Sequence, residues 1–275
     1  MHFGEVECGR LGTPEELGPI LSSAPGAEPY PNVMNLAAID ELRALDADAV
    51  VVKGDLTAEG TDAEYQAFLD AYLRLGARMH HVRGNHDAMI SDQIAVEAPR
   101  SIILPGVTLA VLDTVRPGSE HGRITRPQLE WLEALAAVSS TPVLVFGHHH
   151  PWDPSSSSRN EQYFGINPDD SEALCGVITR CEAIGGYFAG HTHRNRVRHF
   201  DAARRVPIVE VACVKDYPGA WAEYRVHEGG YTQLVRRISA PAAMAWTEQT
   251  RHMFAGLYRD YALGAQGDRS FTRLW

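Results

Sequence analysis

Residues 49–56 read AVVVKGDL and residues 79–87 read MHHVRGNHD; the same grammar returns at 142–150, PVLVFGHHH, and at 186–193, GYFAGHTH. Each stretch is a short apolar run of strand character, closed by a glycine that is followed by an Asp, Asn or His. Between the first two, Thr61 with Glu64 three residues on forms a capping box. The helix it opens carries Tyr65, Phe68, Leu69, Tyr72 and Leu73 and stops at Gly76. A strand, helix, strand unit therefore separates Asp55 from Asn85 and sets them on neighbouring loops at one sheet edge. In α/β sheets the C-terminal strand ends line one crevice, so Asp55, Asn85, His86, His148, His191 and His193 converge although they are far apart in sequence. The preceding glycines allow a sharp turn and a close approach of backbone to a metal or phosphate. One Gly-ligand pair carries little information; four, each after a strand, carry a great deal.

The rest of the chain continues the α/β rhythm. A stripe of Leu36, Ile39, Leu42 and Leu45 predicts a helix over 35–45, and further strands are expected at 107–113, 207–212 and 222–226, with a helix at 127–138. The later strands have few helices between them, which points to a partly antiparallel second half. Residues 22–32 and 151–160, rich in Pro and small residues, read as exposed loops. One domain over 1–275 is expected, with 240–275 a C-terminal extension whose Trp246, Met253, Phe254, Tyr258 and Tyr261 pack back or mediate homo-oligomerisation. The formal charge of -10 argues against non-specific binding to nucleic acid or an anionic membrane. No apolar run is long enough to span a bilayer and no basic-apolar leader opens the chain, so a cytoplasmic location is the expectation. Cys8, Cys175, Cys181 and Cys213 have neither zinc-finger nor disulfide-scaffold spacing.

Taken in order, GDL (54–56), GNHD (84–87), GHHH (147–150) and GHTH (190–193) resemble the signature of the calcineurin-like metallophosphoesterase superfamily. The segment KDYPGAW (215–221) before a final strand is similar, more weakly, to its cyclic-nucleotide and glycerophosphodiester phosphodiesterase branch. The resemblance implies an α/β fold built as a two-sheet β-sandwich flanked by helices, with two divalent metal ions in the crevice. Asp55 would bridge both ions, Asn85, His148 and His191 would complete one shell, and His193 would serve the other. A carboxylate, an amide oxygen and imidazoles suit Mn, Fe, Zn or Co. His86 would be catalytic, protonating the leaving oxygen or stabilising phosphoryl charge, with Asp87 orienting its imidazole. The implied reaction is attack of metal-activated hydroxide on a small phosphodiester. A phosphomonoesterase and a non-catalytic binding or scaffolding module are the alternatives.

The family's D-x-H motif, expected upstream, is absent before Asp55, so the first strand is missing or altered. Three readings stand open: the true first strand lies upstream of Met1; Glu5 and Glu7 replace the Asp and His as variant metal ligands; or that position is degenerate, leaving one metal or none. His149 and Arg194 are candidate substrate contacts, although Arg194, Arg196 and Arg198 also read as a solvated face. His80, His81, His199, His227 and His252 read as structural histidines.

Overall fold

The computed structural model describes residues 1–275. Its strands are β1 (Glu7–Arg10), β2 (Ile20–Ser22), β3 (Val50–Lys53), β4 (Met79–Val82), β5 (Arg100–Leu104), β6 (Val107–Val111), β7 (Val143–Phe146), β8 (Ile184–Ala189), β9 (Arg196–His199), β10 (Pro207–Glu210), β11 (Ala220–His227), β12 (Gly230–Arg237) and β13 (Ser270–Leu274). The main helices are α1 (Tyr30–Leu45), α2 (Asp62–Tyr72), α3 (Arg126–Val138), α4 (Pro168–Arg180), α5 (Pro241–Thr250) and α6 (Leu257–Leu263).

A six-stranded sheet runs in the order β5-β6-β7-β8-β10-β9, parallel from β6 to β10 with an antiparallel strand at each edge. Its residues alternate between two cores, as the pleat requires. Val143, Val145, Ile184, Tyr187 and Ile208 pack under α3 and α4 through Leu129, Leu132, Leu174 and Ile178. Leu109, Leu144, Phe146, Phe188 and Val209 face the other way, onto Val51 of β3 and onto Ala222, Tyr224 and Tyr231 of the antiparallel β11-β12-β13 sheet. That face is the interior of a sandwich. Parallel β3 and β4 are backed by α1 and α2, whose Ile39, Phe68 and Tyr72 bury Val52 and Leu56.

Several elements differ from expectation. α1 begins at Tyr30 rather than near 35, because Pro31 sits in its first turn, where a missing N–H costs nothing. Arg194, Arg196 and Arg198 do not form one solvated face: Arg196 is exposed on the edge strand β9, whereas Arg194 and Arg198 are half-buried against Glu210. β5 and the β12-β13 pair, without a clean alternation in sequence, are set by their partners. The tail packs back: Trp246 of α5 joins Met34 and Ala38 of α1 in one cluster and stacks on Tyr30 with ring centroids 3.6 Å apart.

The amino terminus is the main departure. Residues 1–3 run alongside the loop after β3, His2 N–H donating to Asp55 O at 2.6 Å and Phe3 N–H to Leu56 O at 3.1 Å. Phe3 is buried among Phe68 and Tyr72. β3 itself pairs only with β4, and β11 only with β12. Between β3 and β11 lies a largely apolar cavity of about 560 Å³, lined by every residue of 50–55 and of 220–226. Consecutive residues point to opposite faces, so a cavity touching all of them runs along the two strand edges.

One buried side chain outside the crevice makes stability pH-dependent. Burial, aided by Arg100 and His80, lowers the His81 imidazole from its ordinary 6.5 to about 4. The folded state therefore resists a proton that the unfolded chain accepts, and stability is lost as pH falls from about 6.5 toward 4, by up to about 3 kcal/mol. Urea midpoints measured across this window should fall for the native protein and fall less for His81→Gln; equal slopes would disprove the assignment.

Candidate metal centre

Glycine makes the convergence of the strand-end loops sterically feasible. A Cβ on Gly54 would come within 2.4 Å of His148 Nδ1, and one on Gly84 within 2.2 Å of Asp55 Oδ1. With those positions bare, Asp55 Oδ1 lies 3.2 Å and Asn85 Oδ1 3.1 Å from His148 Nε2. Asp55, His191 and His193 hold backbone φ of +49°, +69° and +55°, strained for residues with a Cβ. Such strain persists where surrounding structure over-determines it, as functional sites do.

The donor atoms fit a cation. His148 Nδ1–H donates to Lys53 O at 2.6 Å, which leaves Nε2 as a lone pair. That lone pair, a carboxylate oxygen and an amide oxygen then face one another without a proton between them. Three such acceptors repel unless a cation stands among them. His191 contributes a fourth atom: its Nε2 is buried without a hydrogen-bond partner, and burial beside His149 and His148 pulls its pKa far down, so the ring is neutral.

A second group forms beside the first. Asp55 Oδ2 lies 3.4 Å from His2 Nε2, and ligand atoms of His2, Asp55 and His86 fall within 4.8 Å of one another. Both ring nitrogens of His2 are buried without a hydrogen-bond partner. Sequence reasoning missed His2. It is the sole histidine before Asp55, and D-x-H ends in His, but no recognisable strand led into it. Glu5 and Glu7, read as substitute ligands, are not in this group. Glu5 stands behind His2, 3.5 Å from Nδ1, with its charge taken by Lys215 Nζ at 2.9 Å; Glu7 is exposed on β1 opposite Ser22.

The expected pairing of His86 with Asp87 is not formed. His86 Nδ1–H donates instead to Ala58 O at 2.7 Å, and the ring lies 4.4 Å from that of His2. Asp87 is fully buried and accepts from Leu56 N–H, Thr57 N–H, Thr57 O–H and Gly84 N–H. Four donors saturate the carboxylate, so Asp87 ties the two loops that carry Asp55 and Asn85. His193 lies with its ring centroid 5.2 Å from that of His2 and its Nδ1 3.6 Å from Asp216 Oδ2.

Neither expected substrate contact is free. Arg194 forms an ion pair with buried Glu210 at 2.9 Å and lies over the Tyr261 ring. His149 is fully buried. The Thr114 hydroxyl oxygen accepts from His148 N–H and His149 N–H, so its proton goes to His149 Nδ1. In neutral His149 the remaining proton then sits on Nε2, making that atom a donor rather than a metal ligand.

The crevice opens as a pocket of about 320 Å³ floored by Asp55, Asn85, His86, His191 and His193. Glu120, Phe164 and Tyr261 form its rim, and Phe164 stacks on the His191 ring at 4.0 Å. The volume is at the low end for small-molecule sites. The larger cavity between β3 and β11 is mostly apolar, but its lining also includes His2, Asp55, His148, His191 and His193, so it borders the same donors.

Residues 30–195 match the family model of the calcineurin-like phosphoesterases. A cAMP/cGMP dual specificity phosphodiesterase of Mycobacterium tuberculosis is 32% identical over 161 residues, covering 54% of this chain and 49% of that protein. A 3',5'-cyclic adenosine monophosphate phosphodiesterase of Vibrio vulnificus is 26% identical over 218 residues, covering 72% and 77%. The match thus spans about half of the first relative and three quarters of the second. Among solved structures, a dimetal phosphatase from Danio rerio superposes with a TM-score of 0.57 at 16% identity, covering 75% of this chain and 86% of that one. That likeness speaks for the fold. With four Gly-ligand turns on one crevice, a sandwich of this topology and a family model spanning most of the chain, the protein belongs to the calcineurin-like phosphoesterases, a family of hydrolytic enzymes.

Proposed function

We propose that this chain hydrolyses small phosphodiesters of the cyclic-nucleotide or glycerophosphodiester type at a centre of divalent transition metals. The observation that carries the proposal is the facing of Asp55 Oδ1, Asn85 Oδ1 and His148 Nε2 across 3.1–3.2 Å, with His191, whose Nε2 is buried without a partner, bringing a ligand atom within 4.8 Å of one of His148. These four residues would hold one ion, and Asp55 with His2 and His193 a second. The donor set is of the type that takes Mn, Fe, Zn or Co. Ions bound there would neutralise phosphoryl oxygens and lower the pKa of water.

The chain's own part is positioning and proton transfer. Ala58 O holds the proton on His86 Nδ1, so the ring, once protonated, presents Nε2–H to a departing oxygen and returns to a single defined tautomer. Glu120 at the rim places a carboxylate beside the pocket, which disfavours a dianionic monoester more than a monoanionic diester. That favours diesterase over phosphatase action. Relatives whose names specify cyclic-nucleotide or glycerophosphodiester phosphodiesterases support the same substrate class.

The test is direct. Purified protein should contain bound transition metal and, with Mn²⁺, release nitrophenol from bis(p-nitrophenyl) phosphate faster than from p-nitrophenyl phosphate. Inverse preference would favour the monoesterase. Absence of both metal and hydrolysis would favour the scaffolding module.

A further inference from the structure

We infer that Lys215 is a positioning residue of the metal centre: its ammonium clamps Glu5 and Asp216, the two carboxylates that stand behind His2 and His193. The inference rests on the metal-dependent reading above and extends it to a residue outside the four Gly-ligand turns, the first of the KDYPGAW segment.

The geometry is a closed arc. Lys215 Nζ lies 2.9 Å from Glu5 Oε2 and 3.3 Å from Asp216 Oδ2. Glu5 Oε2 in turn is 3.5 Å from His2 Nδ1, and Asp216 Oδ2 is 3.6 Å from His193 Nδ1. On the far side of His2, Nε2 meets Asp55 Oδ2 at 3.4 Å. Each imidazole therefore has a carboxylate on its Nδ1 side, whose negative charge favours the tautomer with the proton on Nδ1 and the lone pair on Nε2. This is the arrangement by which carboxylates orient metal-ligating histidines. One ammonium serves both carboxylates and sets the distance between them.

Burial makes the clamp consequential. Lys215 is 3% exposed and Asp216 1%. Without the ammonium, buried Asp216 and half-buried Glu5 would lose the charge that holds them in place, and the carboxylates would be free to turn away. Trp246 Nε1–H donates to Lys215 O at 2.9 Å and fixes the backbone from which the side chain reaches. Asp216 is anchored independently, accepting from Tyr258 O–H at 2.6 Å and from Cys213 S–H at 2.8 Å.

The same contacts decide against a rival reading. His193, Cys213 and Asp216 bring ligand atoms within 4.8 Å of one another and could be taken for a separate metal site. Both Asp216 oxygens are already occupied by donors, and an ammonium 3.3 Å away repels a second cation. The trio is better explained as support for His193.

The test measures metal binding without substrate. Mn²⁺ titration by calorimetry should show Lys215→Met retaining one tight equivalent and losing affinity for the other by roughly ten- to a hundredfold. kcat should fall at limiting Mn²⁺ and recover at excess, which a merely structural defect would not do. Glu5→Gln, which neutralises only the carboxylate behind His2 and keeps the Lys215–Asp216 pair, should weaken the same equivalent and covers the case in which Lys215→Met fails to fold. Unchanged Mn²⁺ affinity in the folded variants would overturn the inference while native hydrolysis upheld the phosphodiesterase reading. Native protein that binds Mn²⁺ but hydrolyses nothing would sink that reading and leave the clamp standing if the variants bind more weakly. Native protein that binds no Mn²⁺ would overturn both.

Discussion

Asn85→Ala is expected to lower Mn²⁺-supported hydrolysis of bis(p-nitrophenyl) phosphate by about 10³-fold or more while leaving the fold intact. The amide oxygen stands 3.1 Å from His148 Nε2, and alanine has nothing to put in its place. Loss of one charge-stabilising group in a preorganised site costs about 10²–10³ in rate, and loss of a group that also holds the ion costs more. The fold should tolerate the change, because the Asn85 carbonyl still accepts from Ala88 N–H at 3.0 Å and the turn after β4 keeps its backbone bonds. Calorimetry should show weaker Mn²⁺ binding, and thermal unfolding a small shift. Retained activity would remove Asn85 from the centre, and with it the observation on which the proposed function stands.

Asp87→Ala is expected to have the opposite signature: a large loss of stability, and a loss of activity that follows from it. Asp87 Oδ1 and Oδ2 take four donors, from Leu56, Thr57 twice and Gly84, at 2.6–3.0 Å. Alanine would strand these donors in a buried space at about 1–3 kcal/mol each, part of which entering water would recover. A net cost of about 4 kcal/mol is expected, read as a lower urea midpoint at unchanged slope. Asp87→Asn should be less costly, since the amide oxygen keeps two of the donors. If Asp87→Ala proved as stable as the native protein yet inactive, Asp87 would be acting on His86 after all, and the hydrogen bond from His86 to Ala58 O would have to be replaced.

The two variants separate what is legible locally from what is not. Asp55, Asn85, His148 and His191 could be found because each follows a glycine at the end of an apolar run, and strand ends share one edge. The role of Asp87 could not, because within GNHD nothing distinguishes a carboxylate that faces the next histidine from one that turns back to the loop of Asp55. Arg194 shows the same limit. Its partner Glu210 lies in β10, and only the pairing of β9 with β10 brings the residues of this region together.

What the sequence by itself determined is the alternation of strands and helices, the crevice and the side chains whose spacing is set by local backbone geometry. Period-2 and period-3.6 patterns and Gly-ligand turns are short-range properties, written within a few residues. What only the tertiary structure decided is the second half of the proposed centre: His2 beside Asp55, Glu5 behind His2, and Lys215 joining Glu5 to Asp216. Glu5 and Lys215 are 210 residues apart, and no local pattern encodes such a contact. It arises because burial leaves a charge no stable alternative to an opposite charge, and the fold supplies that charge from wherever the chain happens to return.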